Sequence, residues 1–466
     1  MLLEKKLLET LLDTGMATGA DYAEIFCENK TANSYQMIGG NIEKANSSKI
    51  QGVGIRLAQG FQIVYGYSNH LDSETLIRLA QDLSQSFSGE RQPRKPLGTI
   101  EVGTRHQAKI SPLSVRPEQK VALMKRAHLA AKNYDELIQQ VTVSLGDSVQ
   151  DVLIANSEGR YVTETRTRVR MYVNAIAGKD GIMQTGGEGP GTGKGYEYFF
   201  EDKNIEDYAR SAAQVAKTML LAEECPGGVM PVVIDNRFGG VIFHEACGHS
   251  LEATSVAKNA SVFCGKLGQK IASPIVTAID DGTIENGWGS ANFDDEGYPQ
   301  QRRVLIDKGV LTSYMVDYLN ARRMNHIPTG SSRRESYKFA PTSRMSNTYI
   351  DNGPHTLDEI IAQTTYGLYA KKMGGGSVNP GSGDFNFAVS EGYMIRDGKI
   401  AEAVRGASLV GNGGDILHKI DMIANNLDRD RGMCGSSSGS IPADVGQPAL
   451  RVSSITVGGK KGGAEQ

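Results

Sequence analysis

Hydrophobic residues recur at helical spacing in some parts of the chain and alternate with polar residues in others. Leucines at positions 2, 3, 7, 8, 11 and 12 form one apolar stripe, which predicts a helix that ends before Gly15. The same spacing predicts further helices over residues 73–87, 117–132 and 205–222. Alternation predicts strands over residues 22–27, 53–57 and 61–67, and several more across 140–177. The pattern therefore mixes helices and strands from its start.

The run Cys225-Pro226-Gly227-Gly228 marks the predicted domain boundary, because structure-breaking residues there follow a long predicted helix. Residues 1–224 are expected to form an N-terminal α+β domain, a mixed α/β sandwich-like unit. Glycines and β-forming residues dominate after the run. Residues 225–466 are expected to form a β-rich, barrel-like domain that carries one histidine-containing helix. The predicted fold class is α+β with two domains.

The composition is typical of a soluble globular protein. Among 466 residues, 50 Lys and Arg nearly balance 53 Asp and Glu, and the formal net charge is −3. This balance gives no electrostatic basis for nucleic acid or an anionic membrane as a partner. The 5 cysteines do not form a disulfide framework, and no apolar run approaches the roughly 18 residues that span a bilayer. We therefore expect a cytoplasmic protein.

Two histidines and a glutamate stand together in the segment His244-Glu245-Ala-Cys-Gly-His249. Two imidazoles from one helix beside a carboxylate are the components of a catalytic zinc site. In such a site the metal acidifies a bound water, and the glutamate takes its proton and delivers it to the leaving amine. The alternative is an incidental polar helix face. The apolar run Val241–Phe243 favours the metal, because it buries this turn and buried ionisable groups need partners or a metal.

The spacing of the two histidines predicts a distorted helix. Residues four positions apart lie roughly 40° apart around an α-helix, whereas residues five positions apart lie roughly 140° apart. His244 and His249 can face one metal only if the helix widens by one residue, as in a π-bulge. Gly248 is the predicted place for this distortion.

Zinc also requires a third protein ligand. Residue type leaves several candidates open, namely Glu252, Asp294, Asp295, His418 and Cys434. Cys434 lies in a Gly- and Ser-rich stretch, where a thiolate is free to approach a metal. Alternatively, Cys434 is a small buried residue, as most free cysteines are.

The segment 374–414 contains 11 glycines. It lacks the lysine-containing phosphate-binding motif, which disfavours a nucleotide site. Tight turns and bulges in a β-rich domain are one explanation. The other is a peptide-binding edge, because small residues expose backbone groups to which an extended substrate can add a strand. Phe385, Phe387 and Val389 alternate as strand residues beside this exposed backbone.

Taken together, the motifs of the second half resemble those of the TldD/PmbA family of metalloproteases, on its catalytic TldD side. They are His244-Glu-Ala-Cys-Gly-His249-Ser-Leu-Glu252, Phe293-Asp-Asp-Glu-Gly297, Pro341-Thr-Ser-Arg344-Met345-Ser-Asn347-Thr348, Gly374-Gly-Gly-Ser377, Ser390-Glu-Gly-Tyr393, Gly411-Asn-Gly-Gly414, Cys434-Gly435 and Val445-Gly-Gln-Pro448. They occur in the family's order. The first half carries no comparably specific motif.

The resemblance implies zinc bound by His244, His249 and Cys434, with Glu245 as general base. It also implies a two-chain assembly, either a homodimer or a heterodimer with a PmbA-like (TldE-like) subunit, into which unfolded peptides enter as extended strands. The predicted function is zinc-dependent cleavage of unfolded or extended peptides. Two alternatives stay open, namely a peptide-binding or scaffolding subunit with a structural metal, and a metal-dependent hydrolase of another amide or ester.

Overall fold

The computed structural model describes residues 3–101, 105–379 and 382–460. The α-helices of this part are α1 (Lys5–Gly15), α2 (Ser73–Ser84), α3 (Pro117–Lys132), α4 (Ile205–Leu221), α5 (Val241–Phe243), α6 (Ala253–Val256), α7 (Tyr318–Met324), α8 (Leu357–Ala362) and α9 (Gly413–Ile416). The strands before residue 200 are β1 (Tyr22–Ile38), β2 (Asn41–Gln59), β3 (Gln62–Ser68), β4 (Gly98–Thr99), β5 (Ile138–Asn156), β6 (Arg160–Lys179), β7 (Ile182–Glu188) and β8 (Gly191–Thr192). The later strands are β9 (Glu223–Glu224), β10 (Gly228–Ile234), β11 (Ala278–Asp281), β12 (Arg302–Asp307), β13 (Val310–Leu311), β14 (Ser332–Arg333), β15 (Thr342–Ser343), β16 (Asn347–Ile350), β17 (Tyr366–Val378), β18 (Asp384–Arg396), β19 (Lys399–Arg405), β20 (Ser408–Asn412), β21 (Ile420–Ile423), β22 (Asp428–Ser436), β23 (Gly439–Gln447) and β24 (Leu450–Gly458).

The N-terminal half is built on one large sheet in the order β3-β2-β1-β5-β6-β4, with β7 and β8 also paired to β6. Helices α3 and α4 cover part of one face, where Val143, Val169 and Ala213 belong to a buried cluster. Helices α1 and α2 close another part of the sheet, with Leu8 and Leu76 in the cluster there. The amphipathic stripe predicted for the first helix therefore packs inward, as its spacing requires.

The C-terminal half contains a closed five-stranded barrel. Its strands run in the order β17-β10-β24-β20-β18, and β18 pairs back to β17. A six-stranded sheet in the order β13-β12-β11-β16-β23-β22 packs beside it. The predicted mixed α/β fold, with a β-rich and barrel-like second half, is confirmed.

Several elements depart from the predicted bounds. The strand expected over residues 22–27 continues to Ile38, and its partner β2 already begins at Asn41. Residues 41–50 of β2 are all exposed, so no alternation of buried apolar residues predicts this part of the strand. The expected histidine helix is a chain of short segments rather than one regular helix. The sequence also predicts a disordered tail over residues 458–466, but Gly458 belongs to β24, and residues 461–466 lie outside the described residues.

Buried ion pairs join the first sheet to loops of the second half. Arg56 of β2 reaches Glu24 of β1 at 2.6 Å and Glu296 at 2.5 Å, with all three side chains almost fully buried. Arg334 also pairs with Glu24. Burial acts to raise the pKa of Glu24, but Arg56 and Arg334 outweigh it and the pKa is lowered. Among the described helices, none has both the length and the apolar character needed to cross a membrane.

Candidate metal centre

The histidine segment follows directly from β10, the strand of the barrel that ends at Ile234. A 3-10 turn at Arg237–Gly240 leads into α5, and a π-helical turn spans His244–Gly248. A side chain on Gly240 would lie 2.4 Å from the backbone of Gly446, so glycine allows this segment to pack closely against β23. In the π turn the N–H of His249 donates to the carbonyl of His244, five residues back. The predicted widening between the two histidines is confirmed.

Three side chains meet at this turn. The Nε2 atom of His244 lies 3.2 Å from the Sγ atom of Cys434, and the Nε2 atom of His249 lies 3.3 Å from the same sulfur. The candidate donor atoms of the three residues are all within 4.8 Å of one another. Cys434 comes from β22, opposite Ile441 of β23. The site therefore depends on the docking of a distant hairpin onto the histidine turn.

Contacts within the cluster shift the pKa values of Cys434 and His249. Burial acts to raise the pKa of the Cys434 thiol, but hydrogen bonds from His244 and His249 outweigh it and lower the pKa to about 4. Burial acts to lower the pKa of His249, but the Glu252 carboxylate and Cys434 hold it well above its usual range. Cys247 lies one turn away, and burial raises the pKa of its thiol. Cys434 is thus prepared as a thiolate, the form that binds metals.

Two charged residues support the cluster from behind. An Oε1 atom of Glu252 lies 3.2 Å from Nδ1 of His249, on the side of the ring away from Cys434. Arg344 is fully buried and donates to the carbonyl of Cys434 at 2.5 Å, while its Nε lies 3.9 Å from Glu252. Carboxylates placed behind a ligating imidazole fix its orientation and tautomer. In the sequence, an arginine at this position is expected either to anchor a substrate carboxylate or to pair with an acid, and the contact with Glu252 agrees with the second.

Glu245 borders the cluster and keeps contact with solvent. Its Oε2 atom lies 3.8 Å from Nε2 of His249, the same nitrogen that faces Cys434, and 31% of its side chain is exposed. A carboxylate in this position can exchange a proton with water at the cluster.

The other candidate ligands are placed elsewhere. Asp294 accepts backbone N–H groups from Glu296 and Tyr298, and Asp295 pairs with Arg166 at 2.6 Å. His418 is exposed in a 3-10 turn, and Glu252 stands behind His249. Of the five candidates, only Cys434 joins the two histidines. Two imidazole nitrogens and one thiolate sulfur form a donor set that suits zinc.

The glycine-rich segment lies close to the strand that carries Cys434. Gly374 and Gly375 line a cavity of about 550 Å³ together with Lys372 and Met433. The end of β17 at Gly376–Val378 pairs with β18, whereas the registered pairing of β17 with β10 covers only residues 368–370. Phe385, Phe387 and Val389 alternate inward along β18 and are buried, so the predicted strand is confirmed.

Comparisons with known proteins match this chain to metallopeptidases. Residues 23–86, 110–220 and 227–459 match domain 1, the central domain and the C-terminal domain of PmbA/TldA metallopeptidases. The chain is 36% identical to the metalloprotease TldD homolog of Haemophilus influenzae, over 98% of this chain and 97% of that one. It is 32% identical to a metalloprotease of Methanothermobacter thermautotrophicus, over 94% and 96% of the two chains.

Solved structures share the fold. TldE from Thermococcus kodakarensis superimposes with a TM-score of 0.78 at 17% identity, over 97% of this chain and 99% of that one. A Thermotoga maritima protein superimposes with a TM-score of 0.82 at 21% identity, over 97% and 100%. The chain belongs to the PmbA/TldD family of metallopeptidases.

Proposed function

We propose that this protein is a zinc-dependent peptidase in which His244, His249 and Cys434 hold the metal and Glu245 is the general base. The observation that carries the proposal is the convergence of the three donor atoms beside a partly exposed carboxylate. Among the described residues, the donor group contains three side chains and no fourth. Three protein ligands are typical of catalytic zinc, whereas structural zinc sites have four.

Zinc at this position would supply a Lewis acid that acidifies water to a pKa of about 7 and polarises the scissile carbonyl. Glu245 accepts the proton of the attacking water and passes it to the leaving amine. Glu252 holds the ring of His249 from behind, and Arg344 holds the backbone of Cys434. Both act by positioning, because they contact His249 and the backbone of Cys434 and are not members of the donor group.

The substrate we propose is an unfolded or extended peptide. The end of β17 at Gly376–Val378 supports this, because exposed backbone beside small residues can pair with an added strand whatever its side chains. We further propose that the chain works in a two-chain assembly, as a homodimer or with a TldE-like subunit. Light scattering of the protein alone distinguishes these two, since a homodimer forms without a partner.

The domain division also stays a proposal, with residues 1–224 and 225–466 as separate units. Limited proteolysis tests it. Cleavage near Cys225 that yields two stable fragments is expected, and cleavage spread along both halves would contradict it.

Glu245→Gln tests the mechanism. The variant should retain zinc and cleave an unstructured peptide at least about 100-fold more slowly, since general bases contribute roughly 10²–10⁴-fold. Glu74→Gln, at an exposed surface ion pair, is the matched control and should cleave normally. A chelator should abolish cleavage by the wild type and added zinc should restore it. Cleavage that survives the chelator, or full activity of Glu245→Gln, would contradict the proposal.

The same assay separates the peptidase from a hydrolase of other amides or esters. An extended peptide should be turned over in preference to a small ester or amide that lacks a peptide backbone. Preference for the small compound would favour the second function. Metal retained without hydrolysis of either would favour a scaffold with a structural metal.

A further inference from the structure

A second, larger cavity lies across β22 from the metal cluster. Its volume is about 780 Å³, and Met433 and Pro442 line it from β22 and β23. Successive side chains of a strand point to opposite faces, so Met433 faces away from the side on which Cys434 meets the histidines. The opposite wall is a polar stretch of the first sheet, including Ser34, Ser144 and Ser148.

The walls of this cavity carry more positive than negative charge. Seven lining residues are Lys or Arg and four are Asp or Glu. The four acids already have partners. Asp147 pairs with Lys120 at 2.7 Å, Asp295 pairs with Arg166 at 2.6 Å, and Asp294 and Glu335 accept backbone N–H groups. The acids of the lining therefore do not pair with all of its lysines and arginines.

Among the described residues, five of the lining cations have no such acid, namely Lys30, Lys44, Arg168, Arg170 and Arg333. No carboxylate of the described ranges lies within 4.0 Å of any of these five. The three arginines donate to backbone carbonyls instead, Arg168 to Trp288 at 3.0 Å, Arg170 to Arg431 at 2.8 Å and Arg333 to Met345 at 2.6 Å. These bonds fix the guanidinium groups in place but bring no carboxylate into direct contact with them.

The clustered cations also repel one another, which disfavours their charged forms. Burial, with Arg333 and Arg166 close by, lowers the pKa of Arg168 to about 9. Burial, with Arg168 close by, also lowers the pKa of Lys30. Holding repelling charges in a cavity is costly unless an anion enters it.

We propose that this cavity is a binding subsite for carboxylate groups of peptides, either acidic side chains or a C-terminal carboxylate. Guanidinium groups bind carboxylates through paired, charge-assisted hydrogen bonds. A peptide is the ligand because the cavity shares Arg170, Tyr172 and Met433 with the cavity at Gly374 and Gly375. These two glycines directly precede the end of β17 at Gly376–Val378, where we place the extended substrate. The choice of ligand rests on the proposed function.

Trp288 provides a direct probe, because it is the only tryptophan of the chain and it lines the cavity. The guanidinium of Arg170 lies 5.7 Å from its ring. Full-length Glu245→Gln protein, in which turnover is expected to be at least about 100-fold slower, is titrated with labelled peptides while Trp288 emission and peptide anisotropy are followed. The peptides are a glutamate-rich peptide with an amidated C-terminus, its glutamine counterpart, and the glutamine peptide with a free C-terminus.

The glutamate peptide, the free C-terminal peptide or both should bind at least about tenfold more tightly than the amidated glutamine peptide, and the pattern identifies which carboxylate is bound. Lys30→Gln and Arg168→Gln should remove most of this preference, whereas Arg78→Gln, at an exposed pair, should keep it. If Arg168→Gln does not fold, Lys30→Gln decides. Equal affinity for all three peptides, or an undiminished preference in Lys30→Gln, would overturn the subsite.

The outcome is separable from that of the proposed function. Chelator-sensitive cleavage of the glutamine peptide by wild-type protein would stand even if the subsite failed. Carboxylate-dependent binding without any chelator-sensitive cleavage would leave the subsite intact and remove the peptidase.

Discussion

Substitution of Gly248 by alanine tests whether the π turn creates the metal site. Gly248 has an ordinary helical backbone, with φ −55°, so alanine causes no backbone strain there. Its added Cβ would lie 2.3 Å from the Sδ atom of Met345, where an ordinary contact begins at 3.4 Å. Met345 is buried, so either its side chain or the histidine turn must move by about 1 Å.

The cost follows from two opposing terms. Overpacking of a buried site costs about 1–3 kcal/mol. Replacing glycine by alanine in a helix gains up to about 1 kcal/mol, but it favours regular α-helix, in which the histidines point apart. We expect a loss of about 1 kcal/mol in the free energy of unfolding and at least about tenfold weaker zinc binding, since 1.4 kcal/mol of distortion at the ligands suffices.

Competition with a chromophoric chelator measures zinc affinity, and thermal melting measures stability. Gly146→Ala is the matched control, because nothing lies within 4 Å of a Cβ at that position. Combining Gly248→Ala with Met345→Ala should recover part of the zinc affinity, because the clashing atom is gone. Wild-type zinc affinity in Gly248→Ala would refute the role of the π turn.

Two further predictions concern glutamates that are not metal donors. Glu252→Gln should weaken zinc binding by about 10–100-fold in the same competition assay, because His249 loses the carboxylate behind it; unchanged affinity would contradict this. Glu24→Gln should lower stability at pH 7 by about 3 kcal/mol, because Arg56 loses a buried partner. Since the folded-state pKa of Glu24 is lowered from 4.5, its contribution is present above about pH 4.5 and is lost as the pH falls through the folded value. In urea melts from pH 7 to pH 3, the free energies of unfolding of the wild type and of Glu24→Gln should therefore converge. A constant difference between the two free energies would count against the ion pair.

The histidine turn was predictable because its chemistry and its constraint lie in adjacent residues. The five-residue spacing, read against the period of an α-helix, requires the widening that the structure contains. The third donor was not predictable from residue type. Cys434 lies 185 residues from His249 in the chain and meets it only through the packing of β22 and β23. Residue type alone could not rank Cys434 above Asp294 or His418. The resemblance to a family supplied that choice.

The long strands and the cationic cavity show a second limit. Apolar alternation identified residues 53–57 of β2 but not 41–50, where the side chains are exposed and hydrogen bonding to β1 alone maintains the strand. No pattern in the sequence brings Arg168 and Arg333 together. Their shared cavity arises only when the polar face of the first sheet meets the second half of the chain.

X-ray absorption at the zinc edge of the purified full-length protein tests the central claim most directly. The account predicts two imidazole nitrogens at about 2.0–2.1 Å, one sulfur at about 2.3 Å and a light atom from solvent in the fourth position. In Cys434→Ser the sulfur contribution should disappear, whereas in Cys247→Ser, at a core position next to Gly413, it should stay. A zinc shell without sulfur, or one closed by four protein ligands, would contradict the account.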